Sequence, residues 1–233
     1  TLGLDINVLD IFRENKFQAD YAFSLGGDGT LLRTAQLIGN TQTPIIGINM
    51  GRLGFLADIS PAEIEDVVSD LYAGNLALGQ HTVIKVSTPS PLHSPYAIND
   101  VAILKRDNAS MISITCHIDG QYLMTYQADG LIISTPTGST AYSLSNGGPI
   151  IVPTTNVLCI TPVAPHSLNT RPIVINDTSV IELTVESRTH NFLLAIDGRS
   201  ESLNDQVKLT IQKAQFKTAI VKRQQTKYFN VLR

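Results

Sequence analysis

Apolar positions change their period near residue 80. Upstream of it, short unbroken apolar runs alternate with residues spaced for one face of a helix, the pattern of an α/β unit. Val8, Ile11 and Phe12 predict a short helix over residues 7–15. Ala22, Phe23 and Leu25 suit a buried strand over 21–25, and the stripe Leu31, Leu32, Ala35, Ile38 predicts a helix running from Thr30 to about Gly39. Residues 43–49, TPIIGIN, predict a second buried strand. Ser60, Pro61 and Glu63 then carry a capping-box signature ahead of Ile64, Val67, Val68 and Leu71, and Gly74 closes that helix.

Downstream, runs rich in Val, Ile, Thr and Tyr recur with turn residues between them. They cover residues 81–87, 96–104, 111–118, 121–126, 131–133, 157–163, 180–185, 191–196, 207–211 and 217–221, and predict a mostly antiparallel β domain. Asp119-Gly120, between two alternating runs, predicts a two-residue hairpin turn, and Asp197-Gly198 is open to the same reading. The expected organisation is an α/β domain over 1–80, a β-rich domain over 81–223, and a segment over 224–233 that returns to the α/β domain.

The chemistry gathers where this rhythm breaks. The first strand runs into Gly26, Gly27, Asp28, Gly29 and Thr30 and then directly into a helix. Glycines let a ligand approach the backbone, and the free N–H groups and positive dipole end of a helix favour an anion, commonly phosphate. Asp28 is the odd residue in such a site. It could cap the helix, hold a magnesium ion, or accept a proton from a hydroxyl that attacks phosphate. The loop matches neither the dinucleotide fingerprint nor the P-loop, whose lysine it lacks.

Residues 51–58, GRLGFLAD, follow the second strand, and their glycines leave Leu53 and Phe55 in an apolar loop at its carboxyl end, where open α/β sheets bind ligands. The alternative is that Phe55 plugs the core. Asn99-Asp100 interrupts an apolar strand, so one of the pair faces inward and needs a ligand or a turn hydrogen bond. Residues 135–145 pack seven hydroxyl side chains into eleven positions. They suit nucleotide phosphates and ribose hydroxyls, or a Ser/Thr-rich loop that caps a short helix through Ser145.

Composition narrows the classes. The chain has 233 residues, 43% hydrophobic and 16% charged, with a net charge of −3. That balance is globular and lacks the basic footprint of a nucleic-acid or membrane-surface binder. Cys116 and Cys159 form no C-x-x-C pair and read as buried thiols, and the five scattered histidines do not suggest a metal cluster. No signal peptide or spanning apolar run is evident, so a cytoplasmic protein is expected. The chain starts at Thr1 in mid-pattern, and a preceding piece is expected to be missing.

Together these blocks resemble the NAD kinases: GGDGT at 26–30, GRLGF at 51–55, Asn99-Asp100, DGLIISTPTGSTAYSLSNGGP at 129–149 and PHSLNTRPIV at 165–174. The GGDGT element is shared with diacylglycerol and sphingosine kinases; the long 129–149 block is far more specific. The resemblance implies a Rossmann-like α/β nucleotide domain, truncated at its start, followed by a larger antiparallel β-sandwich-like domain. It implies transfer of a phosphoryl group from ATP, with Mg²⁺, to the 2′-hydroxyl of the adenosine ribose of NAD, giving NADP. By matching position, Asp28 is the general base, and Gly27 and Gly29 place backbone donors near the phosphates. Leu53 and Phe55 line the nucleotide crevice. Asn99 and Asp100 contact the dinucleotide, and Asp129 lies on the nicotinamide side. Thr140, Ala141, Tyr142 and Ser145 surround the adenosine and nicotinamide pockets, some of them donated by a neighbouring subunit of a homodimer or homotetramer. Asp197 is a further ligand-contacting acid. Two rivals are a lipid kinase sharing the glycine loop and a nucleotide sensor without catalysis. The hydroxyl-rich block argues against the first and Asp28 against the second.

Overall fold

The computed structural model describes residues 19–51, 54–106, 110–222 and 232. The helix expected over 7–15, Leu53, and the segment 224–233 apart from Leu232 lie outside the described residues.

The first described elements are β1 (Ala22–Leu25), α1 (Asp28–Ile38), β2 (Ile45–Ile48) and α2 (Ile64–Ala73). Among the described residues twelve strands follow: β3 (Ala77–Ser87), β4 (Tyr96–Ala97), β5 (Asp100–Leu104), β6 (Ile112–Ile118), β7 (Gln121–Ala128) and β8 (Gly130–Ser134) precede the short α3 (Tyr142–Ser145), and β9 (Val157–Val163), β10 (Ile173–Asn176) and β11 (Ile181–Glu186) come next after it. The last three are β12 (Asn191–Ile196), β13 (Arg199–Asn204) and β14 (Leu209–Lys222). The fold divides into two compact units, Thr1–His81 with Lys217–Arg233, and Thr82–Phe216, so β14 begins in the second and ends in the first.

In the first unit β1 and β2 are parallel, Ala22 beside Ile45 through Leu25 beside Ile48, and Ile220 near the end of β14 pairs with Ile45, again parallel. Leu31, Ala35 and Ile38 bury the apolar stripe of α1. Ser24 on β1 turns towards this helix and meets Thr34 Oγ1 at 3.1 Å, which sends the next residue, Leu25, to the opposite face. Leu25 is therefore 60% exposed rather than buried as its apolar run suggested. The capping box ahead of α2 is complete: Ser60 donates both its N–H and its hydroxyl to Glu63 Oε2, at 2.8 and 2.7 Å. Gly74 ends the helix in the left-handed conformation, φ 70°.

The second unit is a sandwich of two open antiparallel sheets. One has the order β10-β9-β8-β5-β12-β13, and the other places β11 between β14 and β6, with β7 beyond β6. Val101, Ile103, Leu131, Ile133, Phe192 and Leu194 from the first meet Ile112, Ile114, Ile181, Leu183, Val185 and Ile211 from the second in one core. At roughly 1.5–3 kcal/mol for each fully buried large aliphatic or aromatic side chain, this core is the unit's main source of stability. Asp119-Gly120 and Asp197-Gly198 both adopt positive φ, 51° and 78°, then 47° and 77°, so both are two-residue hairpin turns.

Three sequence expectations differ from the structure. The run over 96–104 is two strands in different sheets: β4 pairs with β3, whereas β5 lies between β8 and β12. The chain changes sheets at Ile98 and Asn99. The runs expected over 207–211 and 217–221 join into one 14-residue strand, β14, which starts at Leu209 and whose polar middle hides its continuity. Strands β10 and β13 carry little local signal, the first because it is short and the second because RSESLN lacks β-branched residues and acquires its strand from the hairpin with β12.

Candidate active site

In the first unit the glycine loop is tied to the end of β2. Gly26 donates its N–H to Ile48 O at 2.9 Å and accepts from Met50 N at 3.4 Å. Its φ of 153° and a Cβ position 2.3 Å from Thr30 Oγ1 admit only glycine. Gly27 is the N-cap of α1 and Asp28 its first residue, a favourable place for a carboxylate beside the helix dipole. Gly27 and Gly29 are exposed, with open space where side chains would stand.

Asp28 is not capping its own helix. Its Oδ2 accepts the N–H of Phe55 at 2.9 Å, and its Oδ1 accepts those of Leu56 and Ala57 at 3.1 and 2.9 Å. The carboxylate thus binds the GRLGF loop to the GGDGT loop, and among the described residues one of its roughly four acceptor positions, on Oδ2, is without a partner. Phe55 is half-buried, and the neighbouring Leu56 and Ala57 are the residues that enter the core. The same stretch is gripped by Lys222, which forms an ion pair with Asp58 at 3.0 Å. Burial raises the Asp58 carboxyl above its ordinary pKa, opposed by Lys222.

The second unit repeats the motif of one aspartate on three consecutive amides. Asp197 Oδ2 accepts from Ile98 N at 2.9 Å, and Oδ1 from Asn99 N and Asp100 N at 2.8 and 3.1 Å. It is this carboxylate that holds the chain where it changes sheets. Burial raises the Asp197 pKa, and the three amides and Arg199 oppose the rise. Of the Asn99-Asp100 pair, Asp100 is the buried one, at 6% exposure, and Asn99 is half-buried. Burial and then the charge of Asp197 push the Asp100 carboxyl up to about 7, with the Tyr142 N–H pulling the other way.

The hydroxyl-rich block folds as a 3₁₀ turn, Thr137–Thr140, followed by α3. Its buried hydroxyls build the loop itself. Thr135 Oγ1 donates to Ile98 O and accepts from Gly138 N. Ser139 Oγ donates to Pro136 O at 2.7 Å and accepts from Ile151 N at 3.0 Å, and Ser143 Oγ meets Thr161 Oγ1 at 2.9 Å. Gly138 packs so closely on Asn99 that a Cβ would stand 2.0 Å from the Asn99 carbonyl oxygen. Ser145 ends α3 and does not cap its start. What the block offers outward is Thr140 and Ala141, half-buried, and Tyr142 and Ser145, exposed. Asp129 sits just before β8, half-buried, in an ion pair with Lys105 at 2.7 Å.

Asp28, Gly27, Gly29 and Phe55 therefore come together in the first unit, and Asn99, Asp100, Asp197, Thr140, Ala141 and Tyr142 around one sheet crossing in the second. Sequence reasoning missed Lys222, which no local motif sets apart from the other basic residues of KRQQTK at 222–227, and missed that Gly54, Gly138 and Asp197 serve to place neighbouring residues.

A glycine loop opening a helix with a carboxylate at its first turn, joined to a β-sandwich whose inner turns are self-satisfied, defines a nucleotide-handling two-domain enzyme class. Comparison specifies which. The ATP-NAD kinase N-terminal domain model matches residues 6–76 and the ATP-NAD kinase C-terminal domain model residues 98–223. The NAD kinase of Bacteroides fragilis is 54% identical over 234 residues, covering 100% of this chain and 81% of that protein. The NAD kinase of Cytophaga hutchinsonii is 44% identical, covering 92% and 74%. Among solved structures, yeast NADH kinase complexed with NADH superposes with a TM-score of 0.85 at 28% identity, over 92% of this chain and 65% of that one. An NAD kinase from Archaeoglobus fulgidus in complex with ATP gives 0.80 at 30% identity, over 91% and 81%. The chain belongs to the NAD kinase family.

Proposed function

We propose that the chain phosphorylates the 2′-hydroxyl of the adenosine ribose of NAD with ATP, making NADP, and that Asp28 accepts the hydroxyl proton. The observation that carries this reading is the placement of Asp28: first turn of α1, between two glycines open to the outside, its carboxylate fixed by three amides and, among the described residues, one acceptor position left. A loose phosphoryl-transfer transition state asks for positioning and charge neutralisation more than covalent chemistry, so oriented amides and one base suffice. Gly27 and Gly29 present backbone to the phosphates. Asn99, Asp100, Thr140, Ala141, Tyr142 and Ser145 bind the dinucleotide, with Asp129 on the nicotinamide side and Phe55 and Leu53 beside the nucleotide. Asp197 contributes by holding Asn99 and Asp100.

Magnesium enters with ATP. Among the described residues no three His, Cys, Asp or Glu side chains cluster as a metal cage. Mg²⁺ commonly takes one or two carboxylates plus substrate phosphates, and with Asp28 engaged as proton acceptor the phosphates of ATP would supply most of its ligands. When bound, the ion neutralises phosphate charge. A homodimer or homotetramer in the cytoplasm is the accompanying expectation; among the described residues no helix is long and apolar enough to cross a membrane.

The test is direct. The protein is incubated with ATP, Mg²⁺ and NAD, and NADP is detected with an NADP-specific dehydrogenase. NADP formation supports the reading; NAD that neither binds nor turns over sinks it.

A further inference from the structure

We infer that Lys222 is a positioning residue for the transfer, setting where the Asp28 carboxylate stands by holding the 55–58 loop that Asp28 grips. The inference rests on the reading of Asp28 as proton acceptor. Lys222 Nζ donates to Phe55 O at 3.3 Å, Leu56 O at 3.1 Å and Asp58 Oδ2 at 3.0 Å. Phe55 and Leu56 therefore give their N–H groups to Asp28 and their C=O groups to Lys222. Two peptide units are fixed at both poles by opposite charges, and a shift of either charge moves the loop and the other charge with it.

The surroundings are arranged for this lysine. Gly79 on β3 leaves room for its stem, since a Cβ there would lie 3.2 Å from Lys222 Cγ. His81, buried beside it, is pushed down to about 4 by burial and then by the Lys222 charge, so it stays neutral. The Asp58 side chain is 3% exposed and that of Lys222 25%, and among the described residues Asp58 Oδ1 has no hydrogen-bond partner. Such a pair is a weak source of stability, because desolvation offsets its attraction and an apolar replacement of similar volume is often neutral. The lysine's distinctive contribution is the two loop carbonyls, which no apolar residue could hold.

A purely structural ion pair and a positioning lysine respond differently to its removal. Steady-state NADP formation and melting temperature are measured for the wild type, Lys222→Met, Lys222→Arg and the double variant Lys222→Met/Asp58→Asn. Lys222→Met is expected to lower kcat on the order of 10- to 100-fold, the scale of a misplaced reacting group. KM for NAD is expected to stay within about twofold, as befits a loss felt in the transition state. Lys222→Arg, which keeps charge and donors, recovers most of kcat. The double variant leaves no uncompensated buried charge and regains melting temperature, yet its kcat stays at the level of Lys222→Met. A double variant whose kcat returns together with its stability, or a Lys222→Met with wild-type kcat, overturns the inference. If Lys222→Met does not fold, the arginine and double variants decide. If the wild type makes no NADP, the functional reading fails instead. Amide hydrogen exchange at Phe55, Leu56 and Ala57, faster in the double variant if Lys222 holds the loop and unchanged if it does not, then decides the loop's dependence on Lys222.

Discussion

A Cβ on Gly54 would stand 2.2 Å from Oδ1 of Asp28. The glycine before Phe55 is what allows the carboxylate to lie flat against the amides of residues 55–57. Gly54→Ala must therefore push Asp28 away. It is expected to lower kcat on the order of 100-fold, the cost of about 1 Å of misplacement. The stability cost of such overpacking is only about 1–3 kcal/mol. Steady-state kinetics beside urea denaturation check the split, and an alanine variant with unaltered kcat would show that the carboxylate's position does not matter.

Asp28→Asn separates binding from chemistry. One amide hydrogen bond turns from attraction to a donor facing a donor, costing about 1–3 kcal/mol. Turnover is expected to fall about 10²- to 10⁴-fold, the usual worth of a general base. Calorimetry should still register NAD. Near wild-type turnover would remove Asp28 from its proposed role.

Asp100 should leave a mark on the pH dependence of stability. Its folded-state pKa of about 7 lies above the ordinary 3.8, so between those values the folded protein binds the extra proton. Its contribution is full below pH 3.8 and is lost as pH rises to 7, at about 1.4 kcal/mol per pH unit. His81 slopes the other way between 6.5 and about 4, which is why the comparison must be a difference. Asp100→Asn minus wild type, in urea unfolding from pH 4.5 to 7.5, should become more favourable as pH rises. Asp197→Asn should bring the Asp100 carboxyl back down, measurable by NMR titration of its carboxyl carbon; a flat difference curve and an unmoved titration would contradict the assignment.

Ser139 tests whether the hydroxyl-rich block is mainly scaffold. Ser139→Ala removes the bridge between Pro136 O and the Ile151 backbone, leaving buried groups unpaired at about 1–3 kcal/mol. Denaturant unfolding should register that loss while KM for NAD changes little. A large rise in KM without loss of stability would mean that this hydroxyl meets the ligand.

Local rules were enough for much of this fold. The capping box at Ser60 and Glu63, the stripe of Leu31, Ala35 and Ile38, and the Asp119-Gly120 turn depend on neighbours within a few residues, so their spacing in the chain carries the answer. The family was legible for a related reason: glycine loops and hydroxyl blocks are contiguous, and contiguous motifs survive in a linear reading. Tertiary structure alone decided the rest. Asp28 reaches 27–29 residues along the chain to its amides, Asp197 reaches 97–99, and Lys222 reaches 164–167 to the same loop that Asp28 holds. No period or spacing encodes such pairings. They arise where packed strands bring distant charges to unpaired backbone groups, which burial obliges to find partners.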